Sequence, residues 1–300
     1  GSEVDGEGHG THEGAAAVSS TLRAAGALQR GRVAAALVGS FAEVRRLSQD
    51  SVPAPLVRAQ LLHALGMRAA VLGDMAGYAE KLVEVVAAFE EAGDLRNACI
   101  ETTTLTIALW QVGQLETAEE LCRKNLVRCE QLRAPQATHY TKLTLGLLLA
   151  RQSNAHAEAQ ALLSEALKEY TAISHVRRVG LACGYLALLF LDQRSFAQAE
   201  QLARQAAVQL AEAGGFHTWA LALHADILLQ AGRPQDALAL AQTAVKRLLQ
   251  QGGMPIMELL PFAVLGETLC ALAQPEAAKD LVLTALGRLR ARVAQIKKPA

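Results

Sequence analysis

The side chains in this 300-residue chain with most scope for chemistry are eight histidines and five cysteines. His63, His139, His156, His175, His217 and His224 are scattered, and no His-Glu-x-x-His occurs. A metal site needs three or four converging ligands, so each reads as an exposed or hydrogen-bonded helix residue, and no metal is expected. His217 and His224, seven apart, share a helix face with Leu221 but supply only two ligands. Cys99, Cys122, Cys129, Cys183 and Cys270 are odd in number and contain no Cys-x-x-Cys pair, which suits small buried hydrophobes in a reducing compartment and predicts a cytoplasmic protein. Glu116, Glu119 and Glu120 form a carboxylate run, and at a helix N-terminus they complement the dipole without catalysis. Phosphate-loop, dinucleotide-fold and kinase signatures are absent, so neither cofactor nor enzymatic activity is expected.

The ends carry little more. Residues 1–14 hold five glycines, three glutamates and an aspartate, too little apolar surface to offset ordering, and predict a flexible tail. Within it, His9-Gly10-Thr11-His12 resembles the strip around the catalytic histidine of subtilisin-like proteases. That chemistry also needs a serine in a Gly-Thr-Ser setting and a strand-end aspartate, and neither is present. Gly1-Ser2 reads as a protease-cleavage scar, so the chain is expected to be a domain excised from a larger signalling or regulatory protein. Arg288, Arg290, Arg292, Lys297 and Lys298 make the other end basic, where cations complement a helix C-terminus. Trp110 and Trp219 fall inside first helices of the repeat described next and are expected in the core.

These residues must be positioned by helices. Ala occurs 58 times and Leu 49 times, while aromatic residues make up 4%. Lys+Arg and Asp+Glu balance at 29 each, which removes the long-range field of a general nucleic-acid or anionic-membrane binder. An internal repeat then emerges. Ala-x-x-Leu recurs at Ala79, Ala118, Ala159, Ala199, Ala237 and Ala278, at spacings of 39, 41, 40, 38 and 41. Seven residues beyond each alanine stand Val86, Asn125, Ala166, Ala206, Ala244 and Ala285. Offsets of 0, 3, 7 and 8 trace one helical face, with small residues allowing a second helix to approach. A first amphipathic helix precedes each, over 56–72, 97–112, 138–152, 177–192, 217–230 and 256–272. Asp74, Asn154 and Ser195 are N-cap types, Pro234 and Pro275 suit a first turn, and Gly93, Gly214-Gly215 and Gly252-Gly253 suit helix stops. A further hairpin over 15–50 would cap the array, and 56–298 would form the array itself. The expected fold is all-α, a solenoid of about seven antiparallel helix-turn-helix repeats, since no single hairpin buries its own apolar face.

The alanines seven apart, together with Leu65-Gly66, Leu145-Gly146 and Leu265-Gly266 in the first helices, resemble the tetratricopeptide repeat over roughly residues 56–290. The unit of about 40 residues is longer than the usual one of about 34, and is similar to the sensor domains of bacterial ATP-dependent transcription activators and multidomain Ser/Thr kinases. The resemblance implies a right-handed superhelix that binds a protein or peptide partner along its concave face. The alternative is a sensor for a small molecule or peptide in the same groove. Counting back from each alanine, the face would comprise Gln60, His63, Met67, Thr102, Thr106, Tyr140, Leu143, Leu147, Cys183, Thr218 and Leu221. The Lys/Asn/Arg carboxylate clamp of chaperone-binding members has no counterpart at these positions.

Overall fold

A computed structural model describes residues 55–152, 155–251 and 259–296, with side chains as far as Arg290. The expected tail over 1–14 and capping hairpin over 15–50 lie outside these residues. Twelve helices, and no strand, run through the described residues in six successive hairpins. They are α1 (Pro55–Leu72) with α2 (Met75–Glu91), α3 (Leu95–Gln111) with α4 (Leu115–Gln131), and α5 (Pro135–Leu149) with α6 (His156–Ala172). Then follow α7 (Val176–Asp192) with α8 (Phe196–Gln209), α9 (Gly215–Gln230) with α10 (Pro234–Gln250), and α11 (Leu259–Ala271) with α12 (Pro275–Ile296). Each helix packs on its neighbours in sequence, which is the pattern of a helical repeat solenoid.

Local chemistry sets the boundaries. The Asp74 carboxylate accepts from the Gly77 N–H at 2.9 Å and that of Asp94 from the Asn97 N–H at 3.2 Å, satisfying orphan donors of α2 and α3. Ser195 precedes α8 but makes no side-chain cap bond, and Asn154 lies outside the described residues. Gly93 and Gly214 adopt positive φ, as expected, while Gly252 and Gly253 lie outside the described residues. The same left-handed turn is made without glycine at Arg133, Ser174, Arg194 and Ala273.

The alanine column is buried throughout, from Ala118, Ala159, Ala199 and Ala237 at 0% exposure to Ala79 and Ala278 at the ends. In the four central units one expectation is corrected by a helical step. Leu121, Leu162, Leu202 and Leu240, at offset 3, are half-buried, whereas Cys122, Leu163, Ala203 and Ala241, at offset 4, are fully buried. In these four central units the seam between helices runs along offsets 0, 4 and 7 with the offset-3 leucines flanking it, whereas in the first unit Leu82 at offset 3 is fully buried as expected and Val83 at offset 4 is exposed, as is Val282 in the last unit.

Curvature follows from unequal approach. Among first helices, the backbones of α3 and α5, α5 and α7, α7 and α9, and α9 and α11 approach closely, while those of no two second helices do. The first helices therefore occupy the inner side. Long ion pairs bridge the second helices instead: Arg123 of α4 reaches Glu158 of α6 at 2.6 and 2.9 Å, and Arg128 of α4 reaches Glu90 of α2. At the far end α12 comes back against α1, so the array curves far enough for its two ends to meet.

Candidate functional site

The inner face is built from the helix surfaces that point away from both neighbouring second helices. Of the side chains expected there, the structure buries seven. Thr102 and Thr106 donate to the carbonyls of Ala98 and Thr103, and Cys183 has no exposed surface. Leu143 and Leu147 are 1% and 2% exposed. Thr218 donates to Gln251 Oε1 at the end of α10, and Leu221 packs with Ala222 and Ala244 against Leu240 of the same helix. These seven face the second helices or the core and are not available to a partner in this conformation. The physical reason is the 100° step between successive helix positions, which turns a groove residue into a packing residue when the register is off by one.

Gln60, His63, Met67 and Tyr140 retain half-buried positions. Gln60 Oε1 is buried with no hydrogen-bond partner. His63 Nδ1 lies 3.3 Å from Glu101 Oε2, tying α1 to α3. Burial alone would depress the His63 pKa, but the hydrogen bond and charge of Glu101 outweigh it and hold the imidazole above its ordinary value. Met67 Sδ accepts from the Tyr78 hydroxyl at 3.6 Å.

Tyr140 is the centre of a cluster that the repeat arithmetic did not reveal. The chain has four tyrosines, and Tyr78, Tyr170 and Tyr185, from α2, α6 and α7, each lie within electrostatic range of Tyr140 on α5. The Arg178 guanidinium carbon stands 3.7 Å from the centroid of the Tyr140 ring, a cation–π contact between adjacent first helices. Arg177 lies beside it, and burial followed by the charge of Arg178 lowers its pKa. Tyr185 packs edge-on against Trp219, whose indole occupies the space over Gly184. Sequence reasoning missed Glu101, Arg177, Arg178 and Tyr185. A signal for the arginines was present, because no Asp or Glu occurs between Glu169 and Asp192 to balance them.

The other candidates do not assemble a reactive centre. His156 pairs with Asp192 at 2.9 Å, while burial lowers the pKa values of His217 and His224. Glu119 and Glu120 pair with Arg123 and Lys124 one turn on, and Trp219 is buried. Four cysteines are buried and free, with burial pushing the thiols of Cys99 and Cys122 up to about 12, while Cys270 is exposed. Among the described residues no three His, Cys, Asp or Glu side chains are grouped to hold a metal, and no helix is long and apolar enough to cross a membrane. Arg288 is half-buried and Arg290 exposed, and the side chains of Arg292, Lys297 and Lys298 lie outside the described set.

No protein-family model and no curated protein matches the chain by sequence. Solved structures do match it. BtubC (BKLC) from P. vanneervenii superposes with a TM-score of 0.52 at 19% identity, over 81% of this chain and 94% of that one. A Rap protein complexed with Competence and Sporulation Factor gives 0.64 at 12% identity, over 86% and 81%. A signal transduction ATPase with numerous domains from Pyrococcus horikoshii, which has a tetratricopeptide repeat sensor, gives 0.56 at 14% identity, over 92% of this chain but 43% of its own. At these identities the likeness is one of fold, and the fold of this chain is a tetratricopeptide-like helical repeat array.

Proposed function

We propose that this chain is a non-catalytic repeat module that binds a peptide segment of a partner protein along the inner face of its first helices. The observation that carries the reading is the convergence of Tyr140, Arg178 and Tyr185 from α5 and α7 on the side where first helices touch. An aromatic with a hydroxyl contributes both contact area and a hydrogen bond, which makes tyrosine a frequent anchor of such contacts. The Rap likeness supports the same reading, since that protein is complexed with Competence and Sporulation Factor. The likeness to an ATPase with a repeat sensor favours a second form of it, in which occupancy of the groove is reported to other domains of a longer protein. The free, mostly buried cysteines accord with a cytoplasmic setting.

The test places a photo-crosslinking residue at position 101, on the inner face, or at position 120, on the exposed surface of α4, and exposes each protein to a random heptapeptide library. Peptide capture from 101 and not from 120 is the expected result. Capture from 120 alone, or from neither, would overturn the reading.

A further inference from the structure

Arg177 and Arg178 occupy the first turn of α7, a turn with no acidic residue. That is an unfavourable place for two cations, because the peptide dipoles at a helix N-terminus already make the potential positive and the two guanidinium groups repel each other. Arg58, Arg123, Arg128, Arg204 and Arg233 each hold a carboxylate. Among the described residues no carboxylate pairs with Arg177 or Arg178, and the ring that the Arg178 guanidinium lies over is that of Tyr140. Nor do the hydroxyls of Tyr140, Tyr170 and Tyr185 form hydrogen bonds within the described chain, although Tyr185 is sunk deeply enough that burial raises its pKa well above the ordinary value. Donors of positive or neutral character therefore lie on adjacent first helices around the Arg178–Tyr140 contact, and nothing in the described chain accepts from them.

We propose that Arg177, Arg178, Tyr140 and Tyr185 form a subsite for a carboxylate, so that the peptide taken by this groove is acidic; the proposal rests on the groove reading above. Stacking on Tyr140 fixes the plane of the Arg178 guanidinium and leaves its N–H edge free, which is the geometry a carboxylate meets with two parallel hydrogen bonds. Arg177 adds the second charge, and an incoming anion would offset the repulsion between the two cations. Either an Asp or Glu side chain or a free peptide C-terminus supplies this chemistry.

Two heptapeptide libraries distinguish these sources, one amidated at its C-terminus and one with the free carboxylate, with retained peptides read by mass spectrometry. The wild-type protein should retain Asp- and Glu-containing peptides from the amidated library, or free-carboxylate peptides regardless of sequence, about tenfold over neutral ones. Arg177→Gln with Arg178→Gln should abolish that preference while neutral peptides are still retained and thermal unfolding is unchanged. Should the double variant not fold, Arg177→Gln alone and Arg178→Lys, which keeps charge but loses the planar fork, make the same comparison. Retention without acidic preference would sink the carboxylate subsite and leave the groove reading standing. An absence of retention from either library by wild type would sink both.

Discussion

Asn125 stands in a column otherwise filled by alanine or valine, and the structure shows why a polar residue fits there. Its Nδ2 donates to the Cys99 carbonyl at 2.9 Å and to Thr103 Oγ1 at 3.0 Å, and Thr103 Oγ1 lies 2.7 Å from Thr141 Oγ1. Three buried side chains from α4, α3 and α5 thus join across two hairpins. The pattern of apolar positions registers Asn125 only as a mismatch, because the partners of its Nδ2 lie 16, 22 and 26 residues away. Asn125→Ala should lower stability by about 1–3 kcal/mol by stripping a buried carbonyl and two hydroxyls of a shared donor. Urea unfolding checks this, and an unchanged midpoint would mean that the threonines re-pair at no loss. At the inner face, the raised His63 pKa gives a pH signature of definite sign. Stability from its pairing with Glu101 is fully present below the ordinary value of 6.5 and is lost as pH rises through the higher folded value. Unfolding midpoints measured across that interval should therefore fall for wild type relative to His63→Gln, and parallel curves would contradict the pairing.

Helices show what repeat arithmetic can and cannot supply. Over the described residues the order of the helices and the places of their turns were legible from the alanine spacing and from Asp74, Gly93 and Gly214, since burial and backbone conformation demand those residue types locally. Rotation about each helix axis was not legible. In an Ala- and Leu-rich sequence both offset 3 and offset 4 are apolar, so neither choice breaks the pattern, and only the packed neighbour decides between them. First-helix glycines show the same dependence on context. A Cβ on Gly146 would lie 2.6 Å from Leu163 Cγ of α6, while one on Gly266 would meet only Leu281 Cδ2, at 3.9 Å. Gly146→Ala should cost about 1–3 kcal/mol through overpacking. Gly266→Ala should instead add roughly 0.5–1 kcal/mol through helix propensity. Thermal unfolding of the pair separates close packing from mere repetition, and equal shifts would refute the assignment of Gly146 to a tight helix crossing.

In the whole molecule, the inner side is held by direct contact of first helices and the outer side by Arg–Glu bridges across wider gaps. Such exposed pairs contribute at most about 1 kcal/mol each, so they tune the spacing while the alanine seam holds the stack. On the reading proposed above, the inner face is where side chains of several repeats meet a partner. The sequence could indicate that such a face exists, but only the folded array brings Tyr140 of α5 under Arg178 of α7. The most direct test of the account is Tyr140→Ala, with unfolding free energy and peptide affinity measured on the same preparation. An inner-face anchor should lose binding by about 2 kcal/mol or more while stability barely moves. A loss of about 3 kcal/mol in stability would instead mark Tyr140 as a core plug between repeats, and would contradict the assignment of this face to ligand.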